Sequence, residues 1–242
     1  MIIDTHIHCG KRVPYETIVP FLKKAGIEGA CVFAPVDEVY DRNDPDFNDT
    51  PEWQSKRREA NRYLLEIART NQGIYPYLFV WNDFDCNEIF HGYRGIKWHR
   101  HEGEPVYNYE DKRCHRLIEK IIEHNLPIVF EENYPNTLNF INNLAPDATV
   151  IIPHLGWLNG GFFSIDTSGI WKKEKVYADS SLASKFEITM FLNKYGADKL
   201  IFGSDFPFSL PENELKKITS LDISESNKEK ILGGNIKRLL GL

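Results

Sequence analysis

The stretch IIDTHIH, residues 2–8, sets branched apolar residues around an aspartate and two histidines. The β-branched isoleucines and Thr5 read as a buried strand. Side chains alternate along a strand, so His6 and His8 share one face with Asp4, while Thr5 and Ile7 take the other. A strand that ends on two imidazoles calls for other strands whose ends meet them.

Seven such runs follow: GACVFAP (29–35), IYPYLFVW (74–81), YRGIKWH (93–99), PIVFEEN (127–133), ATVIIPHLGW (148–157), KVYADSS (175–181) and DKLIFGSDFPF (198–208). Helical stretches lie between them. One surrounds YETIVPFLKKAG and contains Pro20. A long one spans about Pro51 to Asn71, with Ala60, Leu64, Leu65 and Ala68 on one face. In DKRCHRLIEKIIEHN, Asp111 is placed to cap and Leu117, Ile118, Ile121 and Ile122 form the apolar stripe. Further helices are expected near Thr137–Leu144, Lys185–Tyr195 and Glu212–Ile218, and the tail opens with a capping-box pattern at Ser226 and Glu229. Eight strand–helix units in 242 residues predict an α/β protein with one domain over 1–242, a parallel (β/α)8 TIM barrel. An open doubly wound sheet is the rival, but no strand is followed by a glycine-rich phosphate loop.

The net charge of −6 and the absence of a polybasic run argue against nucleic acid and anionic membranes as partners. No apolar run reaches the ~20 residues of a membrane helix, and MIIDTHIHCG does not resemble a signal peptide. Cys9, Cys31, Cys86 and Cys114 are dispersed without a C-x-x-C pair, which reads as a reduced cytoplasmic protein. Cys9 reads as a small buried hydrophobe.

In such a barrel, chemistry collects at the C-terminal strand ends. Five of the eight carry suitable groups: His6 and His8, Lys97 and His99, Glu131, His154, and Asp205. Parity sets Glu131 with Val129, facing the mouth, and Glu132 with Phe130, outside it, where an ion pair or a helix cap would hold it.

The runs IIDTHIH, GIKWH, VIIPHLG, IFGSDFPF and GGNIKRLLGL resemble, in order and spacing, the amidohydrolase-2 (amidohydrolase-related) branch of the amidohydrolase superfamily. The resemblance covers nearly the whole chain and implies a distorted TIM barrel. It also implies one divalent metal ion, zinc first and manganese second, held by His6, His8, a strand-five residue and Asp205. The family has a histidine on strand five, and this sequence has Glu131 there. A carboxylate remains a legitimate ligand, but it makes the ion a weaker Lewis acid and favours harder ions somewhat more.

The expected activity is hydrolysis of a small anionic amide, ester or lactone by a metal-activated water. Asp205 would move the proton and His154 would orient the water or polarise the carbonyl. Lys97, His99, Arg100 and Trp157 would hold the substrate. Two alternatives stay open: non-oxidative decarboxylation or hydration, known in the same branch, and a non-catalytic ligand-binding barrel. A carbamylated Lys97 bridging two ions is a further variant, although the surrounding motif suits one ion. The acidic loop from Asp37 to Thr50 has the length of a lid, and Trp53 and Phe47 are candidates for a homodimer contact.

Overall fold

The computed structural model describes residues 1–242, the side chain of Phe90 excepted. Its strands are β1 (Ile3–His8), β2 (Gly29–Phe33), β3 (Ile74–Phe79), β4 (Gly95–His99), β5 (Ile128–Glu131), β6 (Val150–Ile152), β7 (Val176–Asp179) and β8 (Leu200–Ile201). They pair in parallel in chain order from β1 to β8. The ring closes where Thr5 N donates to Phe202 O (3.0 Å), Asp205 N to His6 O (2.8 Å) and His8 N to Phe206 O (2.9 Å). This is the (β/α)8 barrel predicted above.

The helices that cover the strands are α1 (Tyr15–Ala25), α2 (Pro51–Thr70), α3 (Lys112–Glu123), α4 (Tyr134–Asn139), α5 (Phe162–Ser168), α6 (Lys185–Tyr195), α7 (Pro211–Thr219), α8 (Glu225–Glu229) and α9 (Asn235–Leu240). On α3 the expected stripe buries Leu117, Ile118 and Ile121. The Asp111 carboxylate accepts from Arg113 N at 2.8 Å, a cap of the kind that contributes about 1 kcal/mol. The tail differs from expectation: Ser224, two residues before Ser226, caps α8 by accepting from Asn227 N at 3.2 Å. The reciprocal capping box forms instead at Ser184 and Glu187 of α6.

Two apolar layers follow from strand alternation. Cys31, Phe33, Tyr77, Val129, Ile151 and Ile201 fill the barrel, and Ile236 and Leu240 of α9 join that cluster. Trp98, Phe130 and Phe140 belong to the second layer, between sheet and helices, with the Phe130 and Phe140 rings stacked at 4.1 Å. All four cysteines are free and Cys9 is buried. Among the described residues, no helix is long and apolar enough to cross a membrane.

The loop between β2 and α2 is fastened down. Arg57 of α2 donates to Asp49 at 3.1 and 2.8 Å, to Asp83 at 3.2 Å and to Val39 O at 2.9 Å. Phe47 packs on Trp53 and Trp81, with ring centroids 5.2 and 6.3 Å apart. The segment read as a lid is therefore held by a buried guanidinium and by its own aromatic contacts.

Candidate active site

Six strand ends, those of β1, β4, β5, β6, β7 and β8, build the mouth. The His6 ring is fixed through Nδ1, which donates to Asp179 Oδ2 at 2.8 Å. That leaves Nε2 facing the mouth, 3.3 Å from Asp205 Oδ1. The same oxygen lies 3.0 Å from His8 Nε2. Asp205, four residues past the end of β8, adopts a left-handed backbone, φ 59°, and the following Phe206 still bridges to Ile7 of β1. Gly203 lets the two strands approach: a Cβ there would lie 2.9 Å from His6 Cβ.

β6 ends at Ile152 because Pro153 has no N–H for the ladder. His154 and Leu155 then take φ values of 55° and 47°, which swings the His154 ring over the mouth. Asp179 Oδ1 accepts from His154 N (3.0 Å) and from Ser181 N (2.9 Å). Ser181 Oγ donates to the same carboxylate and accepts from His154 Nδ1 at 2.9 Å. One buried carboxylate thus sets the orientation of two histidines, His6 directly and His154 through Ser181. Asp179 was not singled out in the sequence, although KVYADSS places it at a strand end with inward parity.

Glu131 reaches the mouth with inward parity, opposite His99 in the β4–β5 register. Its Oε2 accepts from Lys97 Nζ at 3.0 Å and lies 3.6 Å from His154 Nε2. Its Oε1 faces His99 Nε2 at 3.2 Å and His101 Nε2 at 2.5 Å. His101, read in the sequence only as part of the KWHRH cluster (97–101) that would line a cationic pocket in the decarboxylase alternative, continues the alternation of Lys97 and His99. Behind these rings, Tyr40 Oη donates to Glu104 Oε2 at 2.7 Å, and Arg42 Nε donates to Glu104 Oε1 at 2.7 Å.

Burial lowers the pKa of His6 to about 4, with the Lys97 charge adding to the effect. Burial likewise takes His99 down to about 4, against the pull of Glu131. Burial also opposes charge on His154, but Glu131 outweighs it and raises that imidazole to about 9. For Asp205, burial is outweighed by His6 and His8, which hold the carboxyl far below its ordinary range. Glu131 is held low in the same way by His99 and Lys97.

A cavity of about 510 Å³ opens above these groups, and His8, His99, His101, Glu131, His154 and Asp205 line it. Arg12, Arg42, Trp157 and Phe208 form its upper walls, the last two largely exposed. Two expected substrate contacts are corrected here. Lys97 is wholly buried beneath the mouth, spent on Glu131 and on His6 Nε2 at 3.3 Å. Arg100 turns outside the barrel, where it pairs with Glu132 at 3.1 Å and donates to Pro105 O (3.1 Å) and Glu104 O (3.2 Å). Arg42 and Arg12 are the cavity's guanidinium groups. Glu132 is buried outside the barrel and accepts from Asn133 N, as its parity implied.

The donor set fits a divalent ion. His6, His154 and Asp205 offer ligand atoms within 4.8 Å of one another, and His99, His101 and Glu131 form a second such group. His6 also shows the arrangement typical of a metal ligand, with one ring nitrogen bound to a carboxylate and the other directed into the site. Of the expected ligands His6, His8, Glu131 and Asp205, only His6 and Asp205 share the first group, where His154 joins them; His8 meets Asp205 Oδ1 at 3.0 Å but belongs to neither group, and Glu131 falls in the second. Its strand register sets it against His99, and Lys97 occupies its other oxygen.

A parallel barrel with histidines and carboxylates gathered at its C-terminal mouth is the architecture of metal-dependent amidohydrolases. An amidohydrolase family model (Amidohydro_2) matches residues 3–242, and the chain belongs to that family. Among solved structures, it resembles 5-carboxyvanillate decarboxylase from Sphingomonas paucimobilis (TM-score 0.77, 13% identity, covering 100% of this chain and 99% of that one). It also resembles a putative 2-pyrone-4,6-dicarboxylic acid hydrolase from Pseudomonas putida (TM-score 0.74, 18% identity, 99% and 97% covered). A third is dihydroxybenzoic acid decarboxylase from Polaromonas sp. JS666, solved with bound manganese and 2-nitroresorcinol (TM-score 0.72, 15% identity, 100% and 97% covered). At these identities the likeness speaks for the fold.

Proposed function

We propose that this chain is a metal-dependent hydrolase acting on a small carboxylated ester or lactone. The observation that carries the reading is Asp205 Oδ1 lying within 3.3 Å of both His6 Nε2 and His8 Nε2 at the floor of an open cavity. His6, His8 and Asp205 would hold the ion, with zinc first and manganese second. When bound, it supplies Lewis acidity and lowers the pKa of water towards 7.

The chain's own groups divide the remaining work. Asp205, anionic throughout the neutral range, accepts the proton of the attacking water and returns it to the leaving oxygen. His154, raised to about 9, carries a proton on its ring at neutral pH, and its Nε2–H is available to a developing oxyanion. Arg42, anchored on Glu104, takes the substrate carboxylate, and Trp157 and Phe208 cover its apolar body.

The aromatic walls beside two guanidinium groups also favour a second reading, decarboxylation of a planar aromatic acid. Pyrone dicarboxylates and hydroxylated benzoates, substrates suggested by the names of the similar structures, separate the two. Ring opening without gas release supports hydrolysis. Stoichiometric carbon dioxide supports the second reading. Asp205→Asn retaining full activity on either class would sink both.

A further inference from the structure

Glu131 stands where the family pattern has a histidine, and the two side chains differ in one geometric respect. An imidazole directs a single nitrogen into the mouth, whereas a carboxylate directs two oxygens. Here the oxygens serve opposite walls. Lys97 occupies Oε2 at 3.0 Å, while Oε1 turns to His101 Nε2 at 2.5 Å and His99 Nε2 at 3.2 Å. The donor atoms of His99, His101 and Glu131 lie within 4.8 Å of one another. All three residues line the cavity, which leaves an ion among them an open side.

We infer that His99, His101 and Glu131 form a second divalent-metal site, separate from the His6, His8 and Asp205 group and suited to a borderline ion such as zinc. Two imidazoles and one glutamate with an open position are a common zinc set. The chemistry behind the rings supports it, because a ligating histidine gives its other N–H to an acceptor. His99 Nδ1 lies 3.4 Å from Tyr40 Oη, whose own proton goes to Glu104 Oε2 at 2.7 Å. His101 Nδ1 lies 3.7 Å from Glu104 Oε1. The His99 ring therefore leads back to the Glu104 carboxylate through Tyr40, whereas His101 Nδ1 stands just beyond hydrogen-bond distance of it. Arg42 Nη2 also approaches His101 Nδ1, at 3.1 Å, but it contacts Glu104 Oε1 as well. A guanidinium only donates, so an ion at His101 Nε2 requires Arg42 to stay on Glu104 alone while Nδ1–H turns to that carboxylate. The competing occupant is a proton, with His101 Nε2–H simply donating to Glu131.

Elemental analysis decides between them, using protein stripped with chelator, reloaded with zinc and dialysed free of excess. Two ions per chain are expected in the wild type and one each in His101→Ala and Asp205→Asn. Glu104→Gln should keep the ion but hold it roughly 10–100-fold more weakly against a chromophoric chelator. Circular dichroism melts of each variant report whether it is folded, and His101→Gln replaces His101→Ala if the latter is not. A single wild-type ion that survives His101→Ala and vanishes in Asp205→Asn overturns the inference and leaves the hydrolase reading standing. Two ions that both survive His101→Ala overturn it as well. A single ion with the opposite dependence upholds the inference and removes the metal placement of the hydrolase reading. No retained ion overturns both.

Discussion

Replacing Glu132 by Gln tests whether the two adjacent glutamates have separate roles. The Arg100 guanidinium meets both Glu132 oxygens, at 3.3 and 3.1 Å, with both side chains buried. Burial raises the Glu132 pKa even though Arg100 acts against it, so the pair is not a large net stabiliser. Removing one partner is different, because it strands a buried cation. That costs about 3–5 kcal/mol in general, and the lower end applies here because the carbonyls of Glu104 and Pro105 still accept from Arg100. For a chain of this size, about 3 kcal/mol corresponds to a drop in melting temperature of roughly 6–12 °C. Urea and thermal melts of Glu132→Gln measure the loss, and zinc content and kcat at 20 °C check that the mouth is untouched. The double variant Arg100→Met/Glu132→Met should lose less than the sum of its singles, by about 1 kcal/mol or more. A Glu132→Gln protein within about 0.5 kcal/mol of wild type, or one that loses metal while keeping its fold, would refute the separation.

Chelator-treated protein should weaken in acid. His6 and His99 sit near 4 when folded against an ordinary 6.5, so their contribution is complete above 6.5 and is lost as pH falls through 4. At 1.36 kcal/mol per pKa unit each contributes about 3 kcal/mol, and equal urea midpoints at pH 7 and 5 would count against it. His154, raised to about 9, runs the other way: its contribution is complete below 6.5 and fades as pH rises through 9. Arg42→Met should raise KM for a carboxylated substrate roughly 10–100-fold, the worth of a charged hydrogen bond, with little change for the corresponding neutral ester. Asp179→Asn exchanges the carboxylate that orients His6 for a neutral amide, whose NH2 cannot accept from Nδ1–H, and should weaken zinc binding by roughly 10–100-fold in a chelator competition.

The barrel was legible because its strands are apolar runs of the right length, and parity alone separated Glu131 from Glu132. The same rule, applied one residue further, puts Arg100 outside when Lys97 and His99 are inside. Parity does not report depth, however, and Lys97 lies inside but below the reach of a substrate. β6 and β8 read longer than they are because PHLGW and FGSDFPF look strand-like, while the chain turns left-handed at His154 and Asp205. The short helix α5, bounded by Gly161 and Gly169, offered too little periodicity to read. Tyr40, Arg42 and Glu104 come from loops, where no repeat tells which way a side chain points. They meet only because the β2–α2 and β4–α3 loops lie side by side over the mouth.

The Arg57 clamp gives the cavity two unlike sides. The wall that carries Tyr40 and Arg42 is pinned at both Val39 and Asp49, so its dimensions do not adjust to the occupant. Trp157 and Phe208 face it with their rings mostly in solvent. A compound series built outward from a common carboxylate should thus show steep size discrimination towards Arg42 and broad tolerance for added bulk towards the two aromatics. For inhibitor chemistry, the Trp157–Phe208 edge is the direction in which to grow.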